Sequence, residues 1–155
     1  MQQIFDPKCL GAWYTHKHSL GDDIQTFMTY SSMSAGAGAN DLANYAAANT
    51  YIDELARMRQ SQGLSAISIM FPEVEEAGMA ADMIGQGGVA NIPAKYVTQT
   101  VKQVVCGTAP MSSSVVIMPQ GYLIPRTPVM DSILEPLKAR VDKDLWDQLV
   151  QTSGK

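Results

Sequence analysis

The chain is short of everything that would tie it to a highly charged partner or a lipid phase. Its 155 residues carry 11 Lys and Arg against 15 Asp and Glu, a net charge of -4, and no basic cluster. Nucleic acid and anionic membrane surfaces are therefore not expected as partners. No apolar run approaches the ~20 residues needed to cross a bilayer. Nor does a basic segment followed by an apolar stretch mark a signal peptide. Cysteine is scarce: Cys9 and Cys106 lie far apart, form no CxxC pair, and read as two reduced thiols of a cytoplasmic protein. The two histidines stand as His16-Lys17-His18 on a helix, where i and i+2 point apart and do not chelate one metal. There is no Gly-x-Ser-x-Gly elbow and no Cys/His nucleophile pair. The ten methionines read as core filler. What remains, 46% apolar and 17% charged, describes one globular domain or part of one.

The order of elements points to an α/β fold. Asp6-Pro7 supplies a cap and a first-turn proline for a helix running to about Ser19. Ile24 to Ser31 is short and rich in β-branched and aromatic residues, a strand. Small residues from Met33 to Asn40 lead into a long helix, about Asp41 to Gln62, with Tyr45, Ala48, Ile52 and Leu55 at three- and four-residue steps. Gly63 is its stop. Leu64 to Phe71 is a second strand, ended by Pro72, and an acidic stretch leads to a short segment around Met79 to Ile84. After the Gly85-Gln-Gly-Gly88 break, Pro93 opens a helix over Ala94 to Val105, and Val115 to Met118 is a third strand. Strands separated by helices imply parallel βαβ units. From Pro125 the chain is punctuated by proline and then helical from about Glu135 to Gln151. Residues 125–155 are expected to be a linker or docking tail outside the 1–124 half-domain.

Four side chains carry the chemistry: Lys8, Ser32, Tyr45 and Asn49. Tyr45 and Asn49 are one helical turn apart and share a face. Ser32 ends the first strand, the edge at which ligands of open α/β sheets collect. Lys8 lies near the start of the first helix. A free phenol, with a pKa of ~10, is a weak acid for protonating an alkoxide near neutral pH, and a nearby cation strengthens it. Lys8 supplies that cation if its helix packs against the long one. A hydroxyl, a phenol, an ammonium and an amide are what proton donation to a ketone requires.

The residues that bear these groups resemble a known family. Asp6-Pro-Lys-Cys-Leu-Gly-Ala-Trp13, Tyr30-Ser-Ser32 and Asn44-Tyr-Ala-Ala-Ala-Asn49 resemble the ketoreductase domains of modular polyketide synthases, members of the short-chain dehydrogenase/reductase superfamily. Ile52-Asp-Glu-Leu-Ala-Arg57, Gln62-Gly-Leu64 and Gly78-Met-Ala-Ala81 fit the same pattern, and His16 matches a histidine common there. The resemblance implies the carboxyl-terminal half of a doubly wound, Rossmann-like parallel sheet of about three strands with flanking helices. It implies a catalytic set of Lys8, Ser32, Tyr45 and Asn49, with Lys8 and Tyr45 also on the cofactor, and NADPH as reductant. The substrate implied is a β-ketoacyl thioester on an acyl carrier protein.

Departures from the family pattern shape the remaining expectations. The dinucleotide-binding half, with its glycine-rich turn, is expected to belong to a missing amino-terminal partner or segment. Gly36-Ala-Gly38-Ala-Asn-Asp41 does not replace it, since Asp41 stands where a third glycine is needed and would repel a pyrophosphate. Met70-Phe-Pro-Glu-Val74 stands where the family has Asn-Trp-Gly-Pro-Trp, and Glu73, Glu75 and Glu76 add negative charge there. Ala37 replaces the tryptophan of the A stereochemical type, a lean toward the B type. A catalytically silent docking module of a multidomain synthase is the alternative these departures motivate. The strand over Ile24 to Ser31 is expected to show an unpaired edge.

Overall fold

A computed structural model describes residues 2–38, 42–74, 92–108 and 114–116. In chain order the elements are α1 (Gln2–Phe5), a π-helical turn (Asp6–Leu10), α2 (Gly11–His18), β1 (Met28–Ser32), α3 (Ser34–Ala37), α4 (Ala43–Ser61), β2 (Ile67–Phe71), α5 (Ala94–Val105) and β3 (Ser114–Val116). The strands form one parallel sheet in the order β1-β2-β3. Thr29 lies opposite Ser68 and Ser31 opposite Met70, while Ser68 is also opposite Ser114. The α/β expectation with three parallel strands holds.

Strand β1 starts later than the sequence predicts, at Met28 rather than Ile24. The reason is packing. Phe27 and Ala66 turn into a core cluster with Ala56, and Ile24 lies against it, so these residues plug the sheet's end before pairing begins. Pairing opens where the Ile67 N–H donates to the Phe27 carbonyl at 2.9 Å, and it runs on past the strand where the Met33 N–H donates to the Phe71 carbonyl at 3.0 Å.

The first helix also departs from expectation. Asp6-Pro7 does not open it: the chain is already helical from Gln2, and Phe5, itself helical, stands in the cap position of the turn with no side-chain cap. Pro7 therefore sits inside a continuous helical run, where its ring and missing N–H obstruct ordinary i→i−4 bonding. The backbone answers by widening into the π turn, with the Gly11 N–H reaching back to the Asp6 and Lys8 carbonyls. Lys8 and Cys9 lie in this wide turn.

Helix α4 covers the sheet. Ala48 and Ala56 are wholly buried, Ile52 and Leu55 nearly so, and the alanines let the helix approach β1 and β2 closely. Burying each large aliphatic chain here stabilises the unit by roughly 1.5–3 kcal/mol. The helix ends as predicted, at Gly63 with φ +76°, a left-handed conformation that glycine adopts without strain. Near this end Arg59 is buried. Its Nε donates to the Ser65 carbonyl at 3.2 Å, its Nη1 to His16 Nδ1 at 2.9 Å, and its guanidinium stacks 4.0 Å from the Phe27 ring centroid. This one side chain ties α2, α4 and the approaches to β1 and β2 together. Helix α5 shields Val97, Val101 and Val104 partly on one stripe.

Residues 1–71 and 95–117 make up one compact unit, and residues 72–94 and 118–155 a second. In the second, Val74 and Ile92 form a parallel bridge, with the Ile92 N–H on the Glu73 carbonyl at 2.9 Å. The predicted segment around Met79 to Ile84, the glycines 85–88 and the tail helix from about Glu135 to Gln151 lie outside the described residues. No described helix is long and apolar enough to cross a membrane.

Candidate active site

Three of the four predicted residues meet. From the π turn, Lys8 Nζ donates to Asn49 Oδ1 at 2.7 Å and to the Tyr30 carbonyl at 3.2 Å. The same ammonium lies 5.4 Å from the centroid of the Tyr45 ring. Asn49 Nδ2 donates to the Tyr45 carbonyl at 2.9 Å, which uses the one-turn spacing of the two residues to lock the amide's orientation. Asn49 is completely buried, whereas Tyr45 and Lys8 are half-exposed. The arrangement is a phenol open to a ligand, with a cation beside its ring and an amide fixing that cation from below. Tyr45 has no side-chain hydrogen bond among the described residues, so its hydroxyl is available.

Ser32 makes no hydrogen bond to this trio among the described residues. It ends β1 as predicted, but its hydrogen bonds go to α3: Ser32 Oγ accepts from the Ser34 N–H at 3.2 Å and from Ser34 Oγ at 3.1 Å. Both acceptor positions of the hydroxyl are thereby used, and its single proton is left to donate. No hydrogen bond joins Ser32 to Tyr45 among the described residues.

Beneath the trio lies a polar layer that the sequence reading missed. Asp53, one turn after Asn49 on α4, is 3% exposed. Ser68 Oγ of β2 donates to Asp53 Oδ1 at 2.5 Å, while Asp53 Oδ2 is buried without a hydrogen-bond partner. Ser31 of β1 is buried between the two helical residues, its Oγ 3.5 Å from the Asn49 carbonyl. Burial pushes the Asp53 carboxyl above the usual carboxylate range, against the hydrogen bond from Ser68, the nearby Ser31 hydroxyl and the charge of Lys8. Burial likewise lowers the Lys8 ammonium, and the charges of Asp53 and Cys9 counter it. The signal was present in the pattern. Tyr45, Asn49 and Asp53 form an i, i+4, i+8 row, and two of them are polar residues on the stripe that Ile52 and Ala56 bury.

Along the free edge of β1, between that strand and the π turn and α2, runs an open groove of about 440 Å³. Lys8, Thr15, Phe27, Thr29 and Tyr30 are among the residues lining it. Among the described residues β1 pairs on one side only, as expected, and no group of three or more His, Cys, Asp or Glu is placed to hold a metal.

Known proteins resemble this chain in sequence and fold. A family model described as the KR domain matches residues 1–76. A highly reducing polyketide synthase of Aspergillus nomiae is 39% identical over 95 residues, covering 54% of this chain and 4% of the synthase. The squalestatin tetraketide synthase of a Phoma species is 32% identical over 118 residues, 72% of this chain and 4% of the synthase. Among solved structures, an A-type ketoreductase from a modular polyketide synthase superposes with a TM-score of 0.65 at 27% identity, over 76% of this chain and 26% of that one. An A1-type ketoreductase, at 23% identity, shares the fold with a TM-score of 0.70 over 90% of this chain and 31% of its own. The chain thus spans a small part of the curated synthases and about a quarter to a third of these ketoreductases. Its described sheet is a piece of the Rossmann-like sheet of these neighbours. Over residues 1–76, the stretch that holds Lys8, Ser32, Tyr45 and Asn49, the chain belongs to the KR-domain family, the ketoreductases of polyketide synthases.

Proposed function

We propose that this chain supplies the proton-donating half of an NADPH-dependent reduction, turning a β-ketoacyl thioester carried on an acyl carrier protein into its β-hydroxyacyl form. The observation that carries the reading is the convergence of Lys8, Asn49 and Tyr45, from two helices remote in sequence, on one half-exposed spot. NADPH, when bound, would supply a hydride for the ketone carbon, so the chain's own residues have to meet the negative charge that would develop on the ketone oxygen. Tyr45 gives its phenolic proton to that oxygen, and the Lys8 charge beside the ring stabilises the phenolate left behind. Ser32 directs its remaining O–H at the same oxygen and orients the carbonyl. Asn49 holds the ammonium in place and supports return of the proton.

The residues present fit the ribose end of NADPH. An ammonium has three donors, and Lys8 uses two of them on Asn49 and Tyr30, so a third is free for a sugar hydroxyl. The phosphate end belongs to an amino-terminal partner segment, for which the open edge of β1 and its groove are the receiving surface. Residues 1–124 act as the catalytic half-domain and 125–155 as the docking tail.

A second reading, a silent docking module, is favoured by the engagement of Ser32 with Ser34 and by Met70–Val74 in place of the family's aromatic segment. Turnover separates the two. The chain, alone and within the longest polypeptide its gene encodes, is given NADPH and a diketide β-ketothioester, and loss of NADPH absorbance is followed. The reductase reading expects turnover that falls about 10²–10⁴-fold in Tyr45→Phe. Turnover undiminished in that variant refutes the assignment of Tyr45, and no turnover in the longest polypeptide supports the silent module.

A further inference from the structure

Asp53 has no part in the scheme above, and its placement is costly. It is a carboxylate sealed between α4 and the sheet, with one oxygen unpartnered and the other on Ser68. A buried carboxyl without a full set of donors either takes up a proton or has its charge stabilised by a cation nearby. The charged and titratable groups facing it are few. Glu54 is its chain neighbour on α4, Lys8 comes from the π turn with Cys9 beside it, and β1 and β2 contribute only the hydroxyls of Ser31 and Ser68. Lys8 is therefore the one cation facing Asp53 among the described residues, and Asn49 neighbours both, one turn from Asp53 along α4 and 2.7 Å from the ammonium.

We infer that Asp53 is a positioning residue for the proposed reduction: its buried negative charge holds the Lys8 ammonium over Asn49 and keeps it charged beside Tyr45. The inference rests on the reductase reading for its purpose but not for its test. Ser68 donates to the carboxylate and so offsets part of the burial penalty on its charge, since a hydrogen bond to the charged form favours that form. Asn49 fixes where the ammonium sits: its Oδ1 accepts from the ammonium while its Nδ2 is held by the Tyr45 carbonyl. The prolonged α4 stripe Tyr45, Asn49, Asp53 thus becomes one device, with the phenol at the surface and the counter-charge at the base.

The experiment reads both ends of the pair by NMR in the intact chain, with ¹³Cε of lysine for the Lys8 midpoint and ¹³Cγ of aspartate for that of Asp53. Asp53→Asn preserves shape and the Ser68 contact but removes the charge. It should lower the Lys8 midpoint by about 1–2 pH units, the size of a unit charge roughly 6–12 Å away at an effective dielectric near 20. Glu54→Gln removes an equal charge from the exposed face of the same helix and should leave the Lys8 midpoint in place. Because coupling is reciprocal, Lys8→Met should raise the Asp53 midpoint by the amount that Asp53→Asn lowers that of Lys8. The reciprocal measurement keeps the inference testable should Asp53→Asn fail to fold. A Lys8 midpoint unmoved in Asp53→Asn, or an Asp53 midpoint unmoved in Lys8→Met, overturns the inference and leaves Asp53 a packing residue. Coupled midpoints in a polypeptide without turnover would leave the pairing standing and refute only the reductase reading.

Discussion

The Lys8–Asn49 contact is the joint between two segments, and its strength follows from its geometry. Asn49→Leu replaces the amide by a side chain of similar volume, so no large cavity forms and the effect is confined to polar contacts. Two hydrogen bonds go. The first, from an ammonium at 2.7 Å, is charge-assisted and contributes about 1.5–3 kcal/mol. The second, from Nδ2 to the Tyr45 carbonyl at 2.9 Å, is neutral and contributes about 0.5–1.5 kcal/mol. The hydrophobic gain of leucine offsets part of this, so the net loss is about 1–3 kcal/mol, or roughly 2–12 °C in Tm for a domain of this size. A urea-denaturation cycle through Asn49→Leu, Lys8→Met and the double variant isolates the joint itself. It should return a coupling of about 1–3 kcal/mol. A coupling below about 0.5 kcal/mol would mean that the ammonium is as well solvated without the amide. The claim that Asn49 holds Lys8 would then be wrong, whatever the single variants do.

Two further outcomes follow from the base of α4. His16 accepts from Arg59 at 2.9 Å, and burial together with that guanidinium's charge holds its imidazole below the usual histidine range. Because the folded value is depressed, the unfolded chain binds the proton more readily. The His16 contribution is thus complete above about pH 6.5 and is lost as pH falls below it through the folded value. Urea midpoints should therefore fall between pH 7 and pH 5 more in the wild type than in His16→Gln, and equal falls would count against the arrangement. Arg59→Met strips the Ser65 carbonyl and His16 Nδ1 of a donor and the Phe27 ring of its cation. The cost should be about 3–5 kcal/mol in chemical denaturation, and a loss under about 1 kcal/mol would show that the guanidinium does not tie these elements together.

Much of this was legible in the residues, for identifiable reasons. The Tyr45–Asn49 spacing, the stop at Gly63 and the strand–helix alternation are local properties, written in neighbouring residues. Meeting Lys8 across the chain was legible only through the family resemblance, because no local rule brings a first-helix lysine to a fourth-helix asparagine. The start of the first helix was misread. Asp6-Pro7 is an ordinary opening signal, but the apolar residues just before it carry the helix backward, and the proline is absorbed as a π turn. Asp53 escaped for the opposite reason: an aspartate beside Glu54 reads as part of a solvated acidic pair, and only packing against Ser68 shows it to be interior. Ser32 was placed correctly at its strand end, yet its two bonds to Ser34 depend on the turn into α3, which the run of small residues does not specify.

The one-sided pairing of β1 makes the sheet's protection uneven. In a parallel ladder, successive amides of a strand point alternately left and right. Among the described residues, those of β2 meet a neighbour either way, whereas every other amide of β1 faces the groove that Lys8 and Tyr30 line. Deuterium should enter β1 in a stripe, fast and slow positions alternating along the very strand that delivers Ser32. The floor of the site is therefore fastened along a single seam.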